Sequence, residues 1–327
     1  MSSDGTVAET ALYRSLATAF QQDPKPSKIY GVRVGSDSYA AALAGVEAAD
    51  DVTFVALAEE SNVGAAASGS TPATNLRALK AHVENMSAQG QKRIGVAMVN
   101  PATAKSPTYV EDVATVVDAL KSDSSRMVMV AARGATGDVA TAAMAAIAGY
   151  EPHISPVLKR LRGVSTPLAQ QYGPSEIKGL SEREMIPVID PALIPGTGLY
   201  MAEGRCFTSD TSLLYVDAVR TLDDIDFRLK AGLIGQVGDA RITKAGMTQV
   251  KTRTEGILGP LKRRSVIADF EVRIPVLDVL SLPESTWTAT DQAEVQTARQ
   301  NRTVDMLVTI TYGPAVHRLL VTLAPKF

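Results

Sequence analysis

The sequence has 327 residues, of which 45% are hydrophobic and 21% charged, a composition typical of a soluble globular protein long enough for two domains. Its 33 Lys and Arg residues nearly balance 35 Asp and Glu residues, so the net charge of −2 excludes bulk attraction to nucleic acid or to an anionic membrane. The sequence contains no signal-peptide pattern and no run of about 18 apolar residues, so we expect neither export by a cleaved signal nor direct membrane insertion.

The chain contains a single cysteine, Cys206. One cysteine excludes an internal disulfide and a metal site built from several thiolates, which is typical of a chain that folds in a reducing compartment. We expect Cys206 to be a small buried hydrophobic residue.

The first half of the sequence alternates between short apolar runs and longer Ala-rich amphipathic stretches. Nearly continuous apolar runs fit strands that are covered on both faces. They predict strands at 28–34, 51–58, 92–100, 126–132 and 185–190, with helices at 38–49, 72–89, 108–122 and 137–149. This order implies right-handed crossovers and a doubly wound, mostly parallel sheet. We therefore expect an α/β domain over 24–195, preceded by an N-terminal arm and entry helix over 1–23.

The pattern changes after Pro191, where Pro and Gly occur at the density of a linker. The sequence then predicts a strand at 199–207, helices at 215–236 and 243–263, a strand at 268–275, a polar segment at 284–303 and a terminal hairpin. Helices combined with an antiparallel hairpin indicate an α+β domain over 196–327.

The predicted hairpin is formed by residues 304–312 and 316–324, which meet at Gly313-Pro314. Alternation along the first run places Val304, Met306, Val308, Ile310 and Tyr312 on one face. An isolated two-stranded unit is marginal in water. The hairpin therefore requires a sheet or helix layer of its own chain, or a strand from another chain.

Ligands of doubly wound sheets usually bind at the carboxyl ends of the strands, so the loops there are the first candidates for a chemical site. The best of them runs from Arg133 to Asp138 and contains Gly134 and Gly137. Its glycine amides at a helix N-terminus beside an arginine would suit a phosphate, although no Lys-Ser/Thr pair of a Walker motif follows. The alternatives are an ordinary turn with an Asp N-cap or the loop of a nucleotide- or metabolite-binding α/β enzyme.

Other chemistry has little support in the sequence. No G-x-S-x-G nucleophile motif is present, and His82, His153 and His317 lie in different elements without acidic partners at a recognisable spacing. The sequence therefore predicts no catalytic residues, no metal site and no cofactor.

The second half resembles the carboxyl-terminal domain of contractile tail sheath proteins, which form the sheaths of phage tails and of related bacteriocins and injection systems. The resemblance covers residues 215–275 and 298–325. It consists of an arginine-containing helix (VDAVRTLDDI), a helix opening from Thr243 to Gly246, the run IADFEVRIP and a closing strand pair. Upstream, residues 13–34 resemble the entry of shorter sheath-like proteins, in which a helix and a Pro-containing turn lead into a strand.

The resemblance implies a structural subunit without enzymatic activity. Such subunits form a helical or ring homopolymer around an inner tail tube protein, contact baseplate and tail terminator proteins, and contract to drive the tube through a cell envelope. It further implies a place in the tail of a virion assembled in the host cytoplasm, with no nucleic-acid partner. An adaptor of the same machine, such as a sheath-like cap, remains an alternative.

The resemblance also implies roles for particular residues. Terminal strands of sheath proteins pass between neighbouring subunits and complete a shared sheet, a case of strand addition. The implied subunit interface comprises Val316, Arg318, Leu319, Leu320, Val321, Thr322 and Leu323. The basic residues implied to face the tube are Arg220, Arg228, Lys230, Lys244, Lys251 and Arg253.

Overall fold

The computed structural model describes residues 9–35 and 38–317, which form two compact units. The second unit is Arg220–Ala315. The first unit consists of the described residues before Arg220 and after Ala315. The chain therefore passes between the units at two points, after Val219 and after Ala315.

A mostly parallel sheet forms the centre of the first unit. Its strands are β1 (Phe54–Ala56), β2 (Ile94–Met98), β3 (Met127–Ala131), β4 (Arg160–Leu161), β5 (Met185–Ile189) and β6 (Leu199–Met201). The order across the sheet is β1-β2-β3-β5-β6-β4. Strands β1, β2, β3 and β5 are parallel, whereas β6 pairs antiparallel with both β5 and β4. The predicted mixed α/β fold with a mostly parallel sheet is confirmed.

Helices cover both faces of this sheet. They are α1 (Ala11–Phe20), α2 (Tyr39–Ala44), α3 (Asn75–Ala88), α4 (Tyr109–Val117), α5 (Val139–Gly149) and α6 (Pro174–Glu182). All residues of β2 and β3 are buried, and their alternating side chains enter two separate apolar clusters. Val96 belongs to the cluster that contains the Ala-rich α5, and Ala97 to the one that contains α3 and α4. Cys206 is fully buried in the first cluster, as expected.

The predicted strand at 28–34 is wrong. Residues 28–35 have no assigned helix or strand, and most of their side chains are exposed. Their local contacts explain why this β-prone run lies outside the sheet. The side chains of Lys28 and Tyr30 both bind the carboxylate of Asp51, and a Cβ on Gly31 would lie only 2.9 Å from Leu16 Cδ1 of α1.

The second unit combines helices with a two-stranded antiparallel sheet. Its elements are the part of α7 (Val216–Leu233) beyond residue 219, α8 (Lys244–Arg263), β7 (Asp269–Arg273), α9 (Pro275–Leu280), α10 (Ala289–Asn301) and β8 (Leu307–Thr311). Two apolar clusters fill this unit. One joins α7 and α8 to the sheet through Ile225, Leu258 and Val272, and the other joins α8, α9 and α10 through Met247, Val276 and Val295.

Helices α10 and α6 have no counterpart among the sequence-based predictions, and neither has the short helix α9. The polar segment at 284–303 folds into α10, which buries only Val295 and begins with Thr288 and Asp291 capping each other. Helix α6 begins at Pro174, and the Glu176 carboxylate accepts a hydrogen bond from the Gly173 amide. Both helices therefore carry start signals, Pro at the first position or a capping pair, without a broad apolar stripe.

Candidate assembly surfaces

Polar groups of the loop from Arg133 to Asp138 form hydrogen bonds with other parts of the protein. The Gly134 amide donates to Pro101 O at 2.7 Å, and the Thr136 amide donates to Ser165 O at 2.8 Å. Gly134 and Gly137 have φ of +65° and +85°, values that favour glycine in a turn. The positive φ values explain why glycine occupies both positions, and the amides of Gly134, Ala135 and Thr136 already have acceptors. These contacts support the ordinary turn over the phosphate site.

Arg133 is a buried structural residue with 1% of its side chain exposed. Its guanidinium forms an ion pair with Glu176 and donates to the carbonyl oxygens of Gln170 and Gln171. The guanidinium carbon lies 4.5 Å and 4.9 Å from the ring centroids of Tyr109 and Tyr172. Such a guanidinium, held between two rings and a carboxylate, ties α6 to the end of β3 and is not available to a ligand.

Asp138 caps α5 and joins three parts of the first unit. Its carboxylate accepts hydrogen bonds from the Thr141 amide at 3.0 Å and from the Thr141 hydroxyl at 2.6 Å. It also accepts from the Ser15 hydroxyl of α1 at 2.6 Å and from the Glu59 amide after β1 at 3.0 Å. The predicted Asp N-cap is therefore confirmed, and the same carboxylate connects α1 and the loop after β1 to α5.

Replacing Asp138 by Ala should lower the free energy of unfolding by about 3 kcal/mol, because it leaves several buried donors without an acceptor. Urea denaturation followed by circular dichroism measures this change. Asp210 is the matched control, because its carboxylate also accepts from a nearby amide and hydroxyl, those of Ser212, but at an exposed turn. Asp210→Ala should have a much smaller effect, and equal losses in the two variants would contradict the proposed linking role of Asp138.

The three histidines have different surroundings in the first unit. His82 Nε2 lies 2.9 Å from a guanidinium nitrogen of Arg93, and burial together with that charge lowers the pKa of His82. His153 lies 3.5 Å from Glu151, and His317 contacts Ser155. Across 9–35 and 38–317, no group of three or more His, Cys, Asp or Glu side chains could hold a metal ion. No helix in these ranges is long and apolar enough to cross a membrane.

The two-stranded sheet of the second unit has one buried face and one exposed face. Strands β7 and β8 pair in register from Asp269 opposite Thr311 to Arg273 opposite Leu307. Val308 and Ile310 pack towards α7 and α8, while Thr309 points to solvent. Among the described residues no third strand joins this sheet, so each of its two strands has only the other as a strand partner there.

The strand partner of β8 among the described residues is β7, which the sequence does not suggest. The terminal run at 304–312 was expected to pair across Gly313-Pro314 with 316–324, whereas β8 pairs with β7, far upstream. The expected faces of the run are partly confirmed, because Met306, Val308 and Ile310 contact the core. The return strand stays a prediction, since Arg318, Leu319, Leu320, Val321, Thr322 and Leu323 lie outside the described residues.

The last described residues reach the first unit. Val316 is 80% exposed, whereas the ring of His317 lies edge-on to Tyr215 with their centroids 4.8 Å apart. His317 Nε2 also lies 2.9 Å from the Ser155 hydroxyl. Of the predicted interface residues, only Val316 can be placed, and it is accessible.

The basic residues predicted to face a tube fall into three groups. Arg220 is buried, with 8% exposure. Arg228 and Lys230 on α7 pair with Asp224 and Asp226 at 2.7 Å, one helical turn earlier. Lys244, Lys251 and Arg253 lie on α8, where the helical repeat places Lys244 and Lys251 on one side and Arg253 on the other.

The outer face of α8 forms an open groove of about 1070 Å³. Lys244 and Arg253 flank it, and its floor consists mainly of small or polar side chains, Ala245, Thr248, Gln249, Thr252 and Gly256. On the neighbouring segment Phe227, Ile234 and Val237 are exposed by 70%, 70% and 78%. Exposed apolar side chains beside basic ones are typical of a protein-binding surface.

Solved structures with a similar fold are contractile sheath proteins. The contracted helical sheath of the anti-feeding prophage (AFP) aligns with 98% of this chain and 83% of its own, at a TM-score of 0.59 and 13% identity. The contracted sheath complex of the extracellular injection system PVC aligns with 76% of this chain and 68% of its own, at a TM-score of 0.56 and 12% identity. The sheath tail protein of Desulfitobacterium hafniense aligns with 76% of this chain, at a TM-score of 0.52 and 15% identity.

The chain thus has the fold of contractile sheath proteins, and the resemblance suggested by the sequence is confirmed at the level of the fold. No protein-family model and no curated protein matches the chain. The chain spans 55% of the Desulfitobacterium protein and 65% of the matching chain in the AFP baseplate.

Sequence reasoning missed the exposed apolar residues of α7 and the link between His317 and the first unit. Phe227 could have been found, because it lies among charged residues on a helix whose apolar stripe is defined by Ile225 and Leu229. The contact of His317 with Ser155 joins residues 162 positions apart, and no local pattern indicates such a contact.

Proposed function

We propose that the chain is a structural subunit of a contractile sheath, which polymerises around an inner tube and contracts to drive that tube through a cell envelope. The observation that supports this most is the likeness to the contracted AFP sheath, which extends over 98% of the chain. The contacts of the Arg133–Asp138 loop support a non-enzymatic role, because in this best candidate for a ligand site the Gly134 and Thr136 amides and the Arg133 guanidinium already have partners within the protein.

In this proposal the α/β domain over 24–195 is the body of the subunit and the region over 196–327 is its assembly domain. The open edges of β7 and β8 accept strands from neighbouring subunits, with 316–324 as the donated strand. Main-chain hydrogen bonds then hold the subunits together while the connecting segments change direction. The sheath would be assembled in the host cytoplasm and would contact tube, baseplate and tail terminator proteins in the finished tail.

Negative-stain electron microscopy of the purified protein tests this function. We expect tubes or stacked rings, because each sheath subunit would have both the donated strand and the sheet edge that accepts the strand of a neighbour. Single rings that do not stack would indicate a cap or terminator of the same machine. A monodisperse monomer at high concentration would contradict the proposal.

We further propose that α8 contacts the tube through Lys244, Lys251 and Arg253, with Arg228 and Lys230 of α7 beside them. Arg220 is left out of this surface because it is buried. Exposed charge pairs are weak and screened by salt, which suits a contact that must break when the sheath contracts.

Reversing two of these charges, with Lys244→Glu and Arg253→Glu together, should weaken binding to purified inner tube by about tenfold at low salt, equivalent to roughly 1.4 kcal/mol. Co-sedimentation with tubes measures the change, and the difference should shrink as ionic strength rises. The control is Lys25→Glu with Lys178→Glu, which changes the net charge equally at exposed positions of the first unit. Equal losses in the two double variants would show that α8 is not the contact surface.

A further inference from the structure

The two points at which the chain passes between the units lie next to each other on the first unit. Tyr215 precedes the passage after Val219, and His317 follows the passage after Ala315. Their rings meet edge-on, with centroids 4.8 Å apart and planes at 84°. An edge-to-face contact between aromatic rings is a favourable geometry. The outgoing and the returning segment are therefore joined at one place.

A second contact fixes this place on the first unit. His317 Nε2 lies 2.9 Å from Ser155 Oγ, and that oxygen also accepts from the Val157 amide at 3.3 Å. Ser155 is 9% exposed, so the hydrogen bond is formed at the edge of the folded body rather than on a mobile surface. His317 thus contacts a loop of the first unit in which the Ser155 side chain is fixed by its hydrogen bond with the Val157 amide.

Tyr215 is held from its other side. The Arg205 guanidinium lies 5.9 Å from the Tyr215 ring centroid, and the backbones of these two residues form a bridge. Arg205 donates in turn to Ser181 O at the end of α6, at 2.9 Å. Other residues of the first unit therefore also position the Tyr215 ring that contacts His317.

The residues before His317 show that the contact is local and specific. Residues 313–316 are all exposed, and His317 is the first residue after Tyr312 whose side chain is partly covered. Five residues, 312–316, separate β8 from His317, and an extended segment of this length spans at most about 20 Å. Holding His317 therefore fixes the point on the first unit to which the segment after β8 returns.

We propose that Ser155, Tyr215 and His317 form a clasp, which holds the chain at its return to the first unit and sets the point from which the following residues extend. The clasp itself follows from the contacts in this chain. Its consequence for assembly rests on the proposed sheath function: the clasp fixes the origin of the strand given to a neighbouring subunit, which raises the effective concentration of that strand at its acceptor edge. His317 is in this sense a positioning residue.

Hydrogen exchange of the full-length protein, read by mass spectrometry, tests the clasp. His317→Ala and Tyr215→Leu should each speed exchange in a peptide covering 213–219, where the Val216 amide donates to Gly204 O, by at least tenfold, an effect that local opening beside Tyr215 would produce. Peptides of β8 should keep their wild-type rates. His153→Ala is the control, because it removes a histidine of the same unit that pairs with Glu151 and takes no part in the clasp. Unchanged exchange at 213–219 in both clasp variants would overturn the proposal.

A double-mutant cycle separates the clasp from a general loss of structure. If Ser155 and His317 act together, Ser155→Ala combined with His317→Ala should speed exchange no more than His317→Ala alone. If exchange in the double variant were faster by the product of the two single effects, Ser155 and His317 would act independently, and the clasp would be overturned.

The consequence for assembly has its own measurement. In His317→Ala the polymer mass formed at a fixed protein concentration should fall by about tenfold, while the unfolding midpoint stays that of the wild type. Faster exchange with wild-type polymerisation would confirm the clasp and overturn its part in assembly. Wild-type protein that does not polymerise at all would contradict the proposed function and leave the exchange result to decide the clasp.

Discussion

A chain that ends at Ala315 should fold but should not polymerise. The truncation removes Val316 and the residues beyond it, which include the whole of the proposed donated strand. It leaves β7 and β8 and the apolar clusters behind them in place. The truncated chain would then lack the strand that is proposed to form main-chain hydrogen bonds with a neighbouring subunit. Assembly should therefore be lost completely rather than weakened. Circular dichroism measures the fold, and electron microscopy measures the polymer.

The matched control for this truncation is the full-length variant His317→Ala. It lacks the contacts with Ser155 and Tyr215 but retains every residue from 318 onwards. If the terminal strand carries assembly, this variant should still form some polymer, whereas the truncated chain should form none. Polymers of the truncated chain with the same diameter as the wild type would show that residues 316–327 are not the connection between subunits.

Replacing Arg133 by Met should destabilise the first unit by about 3 kcal/mol, near the lower end of what breaking a buried ion pair costs. The lower end is expected because 19% of the Glu176 side chain is exposed and water can partly solvate the carboxylate that remains. The substitution also removes two hydrogen bonds to the carbonyls of Gln170 and Gln171. Urea denaturation followed by circular dichroism measures the change, and the fluorescence of Trp287 reports the second unit separately.

The control for Arg133→Met is Lys178→Ala, which breaks a pair with Glu182 in which both side chains are more than 60% exposed. Its cost should be smaller than about 1 kcal/mol, because exposed ion pairs contribute little. If both variants lost the same free energy of unfolding, the burial of Arg133 would not make its ion pair more important for stability than an exposed one.

The same ion pair predicts a dependence of stability on pH. The hydrogen bond from Arg133 lowers the pKa of the Glu176 carboxyl below its ordinary value of about 4.3. Because the pKa is lower in the folded chain, the stabilisation is fully present above the ordinary value and is lost as pH falls through the folded value. Glu176→Gln should therefore be less stable than the wild type at pH 7, and the difference should narrow at acid pH.

The strands of the first unit were predictable because β2 and β3 are apolar at every position, a pattern expected of strands covered on both faces. The run at 28–34 is also rich in β-prone residues, yet it does not join the sheet. Pairing depends on what neighbours a segment in space, and here Asp51 and Leu16 hold its residues elsewhere. Composition reports the propensity for a strand, not its partner.

The candidate surfaces were less predictable than the fold. Arg133 was a candidate for a phosphate site because it lies near two glycines at the end of a strand. Its partner Glu176, however, lies 43 residues away, and no local pattern connects the two residues. Similarly, β8 was recognised as a strand, whereas its pairing with β7 joins residues more than 30 positions apart. Local patterns determine the type of an element, and long-range contacts decide whether a polar residue binds a ligand or stabilises the fold.

A cryo-electron microscopy reconstruction of the assembled protein tests the central claim most directly. We expect residues 318–324 of one subunit, which follow His317 in its clasp, to lie as a strand along the outer edge of β7 or β8 of a neighbour, about 4.8 Å away. Residues 316–324 folded back entirely onto their own subunit, with both outer edges of the β7–β8 sheet facing solvent, would contradict it.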